Sequence, residues 1–137
     1  MNKSVFRSIG VLYRTYLSYA DEFLKGTGVS FSESVIITNV GMNEGTNQEE
    51  IAKSLYIDRA AIARNVKSLS EKQLLNIKKN SQDKRAKALY LTAKGKELYD
   101  YITKMNMDRL EKLYSGINAE ELNIFLETFN KIEENLR

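Results

Sequence analysis

Hydrophobic side chains recur at three- and four-residue intervals along most of the chain, a spacing typical of amphipathic helices. Near the start, for example, Val5, Ile9, Leu12 and Tyr16 fall on one helical face. The same periodicity predicts six helices, at about residues 2–25, 31–41, 47–55, 59–72, 93–114 and 119–136. We therefore expect a mainly α fold.

Residues that commonly cap helices stand before five of these segments. Their side-chain oxygens can accept a hydrogen bond from an unpaired N–H of the first turn. The predicted caps are Ser30, Thr46, Asp58, Thr92 and Asn118. Thr46 also has the capping-box spacing with Glu49, and Gly26 and Gly28 are well placed to end the first helix.

The region after the fourth helix has a different pattern. Residues 74–78 and 88–91 alternate apolar and polar side chains over part of their length, and the polar stretch 80–85 between them suits a hairpin tip. The side chains expected to face the body of the protein are Leu75, Ile77, Leu89 and Leu91. This region is therefore predicted to be a β-hairpin.

Two short helices separated by about four residues precede the hairpin, which is the helix-turn-helix arrangement. In that arrangement the second helix fits the major groove of DNA. The side chains of the second helix expected to face inward are Ala61, Ile62, Val66 and Leu69. With the hairpin as its wing, the segment is predicted to be a winged helix-turn-helix that holds duplex DNA.

Charge is concentrated in the same part of the chain. Residues 59–96 contain eleven Lys or Arg and two acidic residues, a net charge of +9. Residues 1–58 carry −2 and residues 97–137 carry −4, so the overall +3 conceals the contrast. A basic middle between acidic ends is typical of a surface that binds a polyanion.

Composition narrows the chemistry. The chain has no cysteine and no histidine, which argues against a zinc site and removes the usual general base and the strongest nucleophile. We expect no metal, no cofactor, no catalytic residue and no enzyme activity, although catalysis by carboxylates alone stays open. No apolar run approaches the roughly 18 residues of a membrane span, so we expect no membrane partner and a cytoplasmic location.

The terminal helices suggest how the chain is organised. We expect one subunit over residues 1–137, with a DNA-binding lobe at 30–92 and dimerisation helices at 1–28 and 93–137. The first and last helices carry more apolar surface than one partner would cover, so a homodimer is predicted. Such a dimer would hold two recognition helices roughly 34–36 Å apart and require a palindromic site.

The order of elements and two short strings resemble the MarR family of bacterial transcriptional regulators (multiple antibiotic resistance regulators). Asp83-Lys84-Arg85-Ala86 and Leu91-Thr92-Ala93-Lys94-Gly95 are similar to its patterns Asp-x-Arg-Ala and Leu-Thr-x-x-Gly. Residues 46–52 and 57–64 are similar to its helix-turn-helix. The resemblance covers essentially the whole chain and implies a DNA-binding regulator that acts as a dimer, and a repressor in particular.

The resemblance also implies site residues. Arg85 would enter the minor groove, steered by a charge-assisted hydrogen bond to Asp83. Basic hairpin residues Lys84 and Lys87 lie beside it. On or beside the presented face of the recognition helix are Arg59, Ala60, Ala61, Arg64, Asn65 and Lys67. Candidate phosphate contacts at the start of the preceding helix are Thr46, Asn47 and Gln48.

Members of this family commonly respond to small anionic or phenolic ligands. Tyr13, Arg14 and Tyr16 would line such a site, because an aromatic wall with a cation suits a small aromatic or anionic effector. The same tyrosines also suit a core or a dimer interface. Two departures from the family are Gln73, where glycine is usual, and Ile77, where arginine is frequent. Gln73 should either adopt a left-handed conformation or end the helix differently.

Two other functions remain open from the residues alone. A winged helix can be a protein-interaction module that does not bind DNA, and a steep loss of DNA affinity with salt would distinguish the two. An enzyme is the third possibility, which paired, buried carboxylates in a pocket would favour.

Overall fold

The computed structural model describes residues 4–79 and 87–137. Its elements, in chain order, are α1 (Ser4–Leu24), α2 (Phe31–Met42), α3 (Gln48–Leu55), α4 (Arg59–Glu71), β1 (Leu75–Lys79), β2 (Lys87–Leu91), α5 (Ala93–Leu113) and α6 (Ala119–Glu134). The mainly helical fold, with a helix-turn-helix followed by an antiparallel hairpin, confirms the predicted winged helix-turn-helix.

The chain divides into two compact units, Met1–Thr103 and Lys104–Arg137. The first unit holds the hydrophobic core. Its fully buried large side chains come from α2, α3, α4, β2 and α5: Ile36, Ile37, Val40, Ile51, Ile62, Val66, Leu69, Leu89 and Ile102. Each such side chain contributes about 1.5–3 kcal/mol by leaving water. The core therefore holds the helix-turn-helix and the base of the hairpin as one body.

The second unit has no buried residue. Its α6 begins with a capping box in which the Asn118 side chain accepts from the Glu121 N–H and the Glu121 carboxylate accepts from the Asn118 N–H, as the predicted cap requires. The apolar stripe predicted for this helix is exposed in the single chain, at Phe125, Leu126, Phe129, Ile132 and Leu136. The N-terminal half of α1 exposes Val5, Ile9 and Leu12 in the same way.

Four of the five predicted caps are confirmed. Ser30 forms a capping box with Glu33, and the Asp58 carboxylate accepts from the N–H groups of Ala60 and Ala61. Thr92 accepts from the Gly95 N–H at 2.9 Å, and the Asn118 side chain accepts from the Glu121 N–H.

The cap predicted at Thr46 is wrong by one position. Asn47 is the N-cap of α3, and its side chain accepts from the Glu50 N–H. Thr46 is only 4% exposed, and its hydroxyl donates to the Glu50 carboxylate at 2.9 Å. The reason is long-range: the Leu89 N–H donates to the Thr46 carbonyl, which holds Thr46 against the edge of β2.

The predicted hairpin is present, and its two strands pair antiparallel. Leu75 lies opposite Leu91 and Ile77 opposite Leu89, so all four share one face. Leu75 and Leu89 are buried, as expected, but Ile77 is 39% exposed. Its inward placement was predicted from alternation, which identifies the face of a strand but not how far the protein body extends beneath it.

Two non-glycine residues have left-handed backbones, Tyr56 (φ 54°) and Gln73 (φ 61°). Tyr56 ends α3 and makes the turn into α4. Gln73 follows the C-cap of α4, so the first of the two alternatives for this position is the observed one. Each such residue costs about 1 kcal/mol. Within residues 4–79 and 87–137, no helix combines the length and apolar character needed to cross a membrane.

Candidate nucleic-acid interface

Helix α4 separates its side chains cleanly between core and solvent. Ile62, Val66 and Leu69 are buried. The predicted contact residues lie on the remaining surface: Arg59, Ala60, Arg64 and Lys67 are exposed, and Ala61 and Asn65 are partly exposed. The six predicted residues therefore lie around the part of the α4 surface that the core leaves uncovered, with Arg59 and Asn65 nearest its borders. Their small and cationic side chains allow close approach to an anionic surface.

The first residue of α4 has a specific partner. Nη2 of Arg59 donates to Oε1 of Glu49 at 2.9 Å, and both side chains are exposed, at 76% and 70%. Glu49 belongs to the first turn of α3. Sequence reasoning assigned Glu49 to a capping box and missed this ion pair, because the ten-residue separation gives no periodic signal.

The three residues predicted to contact phosphate at the start of α3 differ in exposure and in hydrogen bonding. Asn47 uses its side chain as the N-cap, and Gln48 is the first helical residue and is partly exposed. Thr46 is buried, and its hydroxyl is engaged by Glu50. A contact between the Thr46 hydroxyl and a phosphate would require that hydrogen bond to break.

The hairpin carries lysines on both strands. Lys78, Lys79 and Lys87 are exposed, and Lys79 lies directly opposite Lys87 in the register. Like charges at directly opposed positions destabilise a strand pair, so this arrangement favours an anionic partner. The ammonium group of Lys78 lies 4.8 Å from the ring centroid of Tyr90. Lys78 and Lys79 were counted in the basic region but were not predicted as site residues.

The predicted hairpin tip residues Asp83, Lys84 and Arg85 lie outside the described residues. Their proposed ion pair and groove contact therefore stay predictions.

The far end of α4 is anchored by a charged cluster. Nζ of Lys72 donates to Oε2 of Glu33 at 2.8 Å and to the Gly28 carbonyl at 2.8 Å. The Ser68 hydroxyl also donates to Oε2 of Glu33. Burial alone would raise the pKa of the Glu33 carboxyl. Hydrogen bonds from Lys72, the Ser30 N–H and Ser68, with the positive charge of Lys72, lower that pKa below its ordinary value. Glu33 therefore stays ionised and holds α4 to the first turn of α2.

A second joint connects α4, the hairpin and α5. The Thr92 hydroxyl donates to the Gln73 carbonyl at 2.7 Å and accepts from the Gly95 N–H. The Thr92 N–H donates to the Leu74 carbonyl at 3.1 Å. That carbonyl oxygen occupies the space a Cβ on Gly95 would need, so glycine permits the close approach.

The residues predicted for an effector site lie along α1. Tyr13 is exposed, and the Arg14 guanidinium folds back toward Gly10. Tyr16 makes an edge-to-face contact with Phe31, with ring centroids 5.8 Å apart. The described part of the chain contains no cluster of three or more acidic side chains able to hold a metal ion.

Comparison with known proteins points to one family. The family model of the MarR family matches residues 27–86, which span α2, α3, α4 and β1. An uncharacterized HTH-type transcriptional regulator of Staphylococcus aureus (strain Mu50) is 25% identical over 137 residues, covering 98% of this chain and 93% of the relative.

Solved structures agree with this. A MarR family transcriptional regulator from Listeria monocytogenes, complexed with a 26mer DNA, is 28% identical with a TM-score of 0.91, over 96% of this chain and 88% of that one. A Staphylococcus aureus MarR in complex with salicylate and kanamycin is 25% identical with a TM-score of 0.81, over 98% and 91%.

Proposed function

We propose that this chain, which belongs to the MarR family of winged helix-turn-helix transcriptional regulators, binds a specific duplex DNA sequence through α4 and the hairpin. The observation that carries the proposal is the surface of α4, where Arg59, Arg64 and Lys67 are exposed while the opposite face is buried. A helix with this division can enter the major groove without disturbing the core.

The side chains would divide the work by chemistry. Arginine donates two hydrogen bonds to guanine, and an asparagine amide donates one to adenine N7 and accepts one from the adenine amino group, which suits Arg59, Arg64 and Asn65 to reading base edges. Lysines act as point charges and suit phosphates, so Lys67, Lys79 and Lys87 would grip the backbone. Arg85 would add a minor-groove contact, where a narrow groove concentrates negative potential.

We further propose that the chain acts as a homodimer on a palindromic operator. Support comes from the exposed apolar faces of α1 and α6, which are larger than isolated surface residues explain. Two copies joined through these helices would present two copies of α4 to two half-sites. When one copy of α4 binds its half-site, the effective concentration of the second copy at the other half-site rises. Two modest affinities therefore combine into tight binding.

We also propose that the chain represses transcription while it is bound to DNA, and that it leaves the DNA when a small aromatic acid binds to it. The structural neighbour from Staphylococcus aureus bound to salicylate supports this proposal, as do the aromatic and cationic side chains of Tyr13, Arg14 and Tyr16. A ligand held there would favour one arrangement of the two α4 helices in the dimer over another. If the favoured arrangement does not match the fixed spacing of the half-sites, the operator is bound less tightly.

The decisive experiment is selection of bound sites from random duplex DNA with the full-length protein. We expect a palindromic site whose half-sites are about one helical turn apart. Gel-shift titration on that site at fixed salt would then compare the unmodified protein with Arg64→Ala, Arg85→Ala and the control Lys131→Ala, which removes an equal charge from α6. Selection of no sequence, or equal affinities for all four proteins, would overturn the proposal.

A further inference from the structure

We infer that Glu49 is a positioning residue that sets the sequence specificity of Arg59. The inference rests on the proposed function, because it needs the exposed surface of α4 to meet DNA. It goes further in assigning a role to an acidic side chain that makes no favourable contact with a polyanion itself.

Geometry is the first support. Glu49 lies in the first turn of α3 and Arg59 is the first residue of α4, so their 2.9 Å hydrogen bond crosses the turn between the two helices. The backbone at Arg59 is fixed by the Asp58 cap immediately before it. With the helix start fixed and one guanidinium nitrogen hydrogen-bonded, the Arg59 side chain is biased toward one set of directions.

The exposure of the two side chains is the second support, because it shows that the ion pair does little to stabilise the fold. With side chains 76% and 70% exposed, an ion pair contributes little to folding stability. The pair therefore has little structural purpose. Its main physical effect is to reduce the rotamers that a long arginine side chain samples before it meets a partner.

Charge is the third support. A guanidinium has five N–H donors in a rigid plane, so one hydrogen bond to Glu49 leaves others available for a base edge. The Glu49 carboxylate repels phosphates, and Arg59 would leave it unpaired by turning to the backbone. Base contact is thereby favoured over phosphate contact. The expected consequence is lower affinity for any duplex but better discrimination between sequences.

The neighbouring glutamate provides a matched control. Glu50 occupies the next position of the same turn, but its carboxylate accepts from the Thr46 hydroxyl at 2.9 Å. Glu49→Gln and Glu50→Gln therefore remove the same charge from adjacent positions, and only the first weakens the hold on Arg59. Both substitutions should strengthen binding to unrelated duplex DNA by similar factors.

The test measures the affinity for the selected operator divided by the affinity for unrelated duplex. Glu49→Ala should lower this ratio by about five- to tenfold, which is part of the discrimination given by one bidentate arginine contact. Glu49→Gln should lower the ratio in the same direction, whereas its matched control Glu50→Gln should leave the ratio unchanged. In an Arg59→Ala background, adding Glu49→Ala should change the ratio by less than about twofold, since the two residues act as one unit. Thermal unfolding of each variant should match that of the unmodified protein.

Two results would overturn the inference, and they are distinguishable. If Arg59→Ala lowers the ratio and Glu49→Ala does not, positioning by Glu49 is wrong while DNA reading by Arg59 stands. If Arg59→Ala changes neither affinity, Arg59 does not read DNA, and the proposed function of the start of α4 fails together with the inference.

Discussion

The ammonium nitrogen of Lys72 lies 2.8 Å from Oε2 of Glu33, which ties the C-cap of α4 to the first turn of α2. The Glu33 carboxylate also accepts from the Ser30 N–H and the Ser68 hydroxyl. The carboxylate is buried, whereas Lys72 is partly exposed. One side chain therefore fixes the far end of the helix whose other end carries Arg59.

Replacing Glu33 with glutamine should destabilise the protein. The amide cannot match the carboxylate as acceptor for Lys72, and the loss of a hydrogen bond between charged groups costs about 1–3 kcal/mol. Urea unfolding at pH 7 measures the difference. Glu44→Gln, at an exposed position in the loop after α2, should change stability by far less.

The effect of Glu33→Gln should also depend on pH. The pKa of Glu33 is lowered in the folded protein, so its contribution is fully present above the unfolded value, about 4.3. It is lost as the pH falls through the folded pKa. As the pH falls from 7 to below the folded pKa of Glu33, the stabilities of the unmodified protein and the variant should converge. A constant difference across that range would contradict the assigned ion pair.

A methyl group on Gly95 should strain the joint between the hairpin and α5. The Leu74 carbonyl oxygen occupies the space that a Cβ needs, and backbone cannot move aside cheaply. Gly95→Ala should lower the free energy of unfolding by about 1–3 kcal/mol. Gly10→Ala in α1 is the control, because its nearest neighbour is the flexible end of Arg14. An unchanged or higher melting temperature for Gly95→Ala would contradict the close approach.

Loss of the cap at Asp58 should affect stability and DNA binding together. The carboxylate satisfies the N–H groups of Ala60 and Ala61, and its removal typically costs about 1 kcal/mol. Asp58→Ala should also loosen the first turn, where Arg59 begins the helix, and so weaken operator binding. Asp58→Asn retains an acceptor and should restore most of both. Calorimetry and gel-shift titration report the two effects separately.

A lysine of the hairpin should account for part of the salt dependence. If Lys79 contacts a phosphate, Lys79→Ala should reduce the slope of log affinity against log salt by about one. The same reduction should occur with operator and with unrelated duplex DNA. Lys131→Ala in α6 should leave the slope unchanged, and an unchanged slope for Lys79→Ala would remove this contact from the interface.

Features that depend on neighbours in sequence could be predicted. Helix faces such as Ile62, Val66 and Leu69 follow from a 3.6-residue period, and the cap at Asp58 follows from side-chain chemistry at a helix start. The face that Leu75, Ile77, Leu89 and Leu91 share on the hairpin follows from alternation on its two strands. These are local or periodic effects that a single sequence displays.

Features that depend on distant contacts could not be predicted. The cap moved from Thr46 to Asn47 because Leu89 holds the Thr46 carbonyl, and threonine and asparagine are both good caps. The Glu49 to Arg59 ion pair joins two helices across a turn that contains the left-handed residue Tyr56. None of these leaves a periodic trace, and for Glu49 the capping box offered a competing interpretation.

The joint at Thr92 limits how this molecule can change shape. One hydroxyl spans the Gln73 carbonyl and the Gly95 N–H, while the Leu74 carbonyl sits against a residue without a side chain. Bending of the chain at Thr92 would break its hydrogen bonds to Gln73, Leu74 and Gly95 together. The root of the hairpin and the start of α5 are therefore expected to move together with the residues that end α4, so that these segments change direction as one rigid piece.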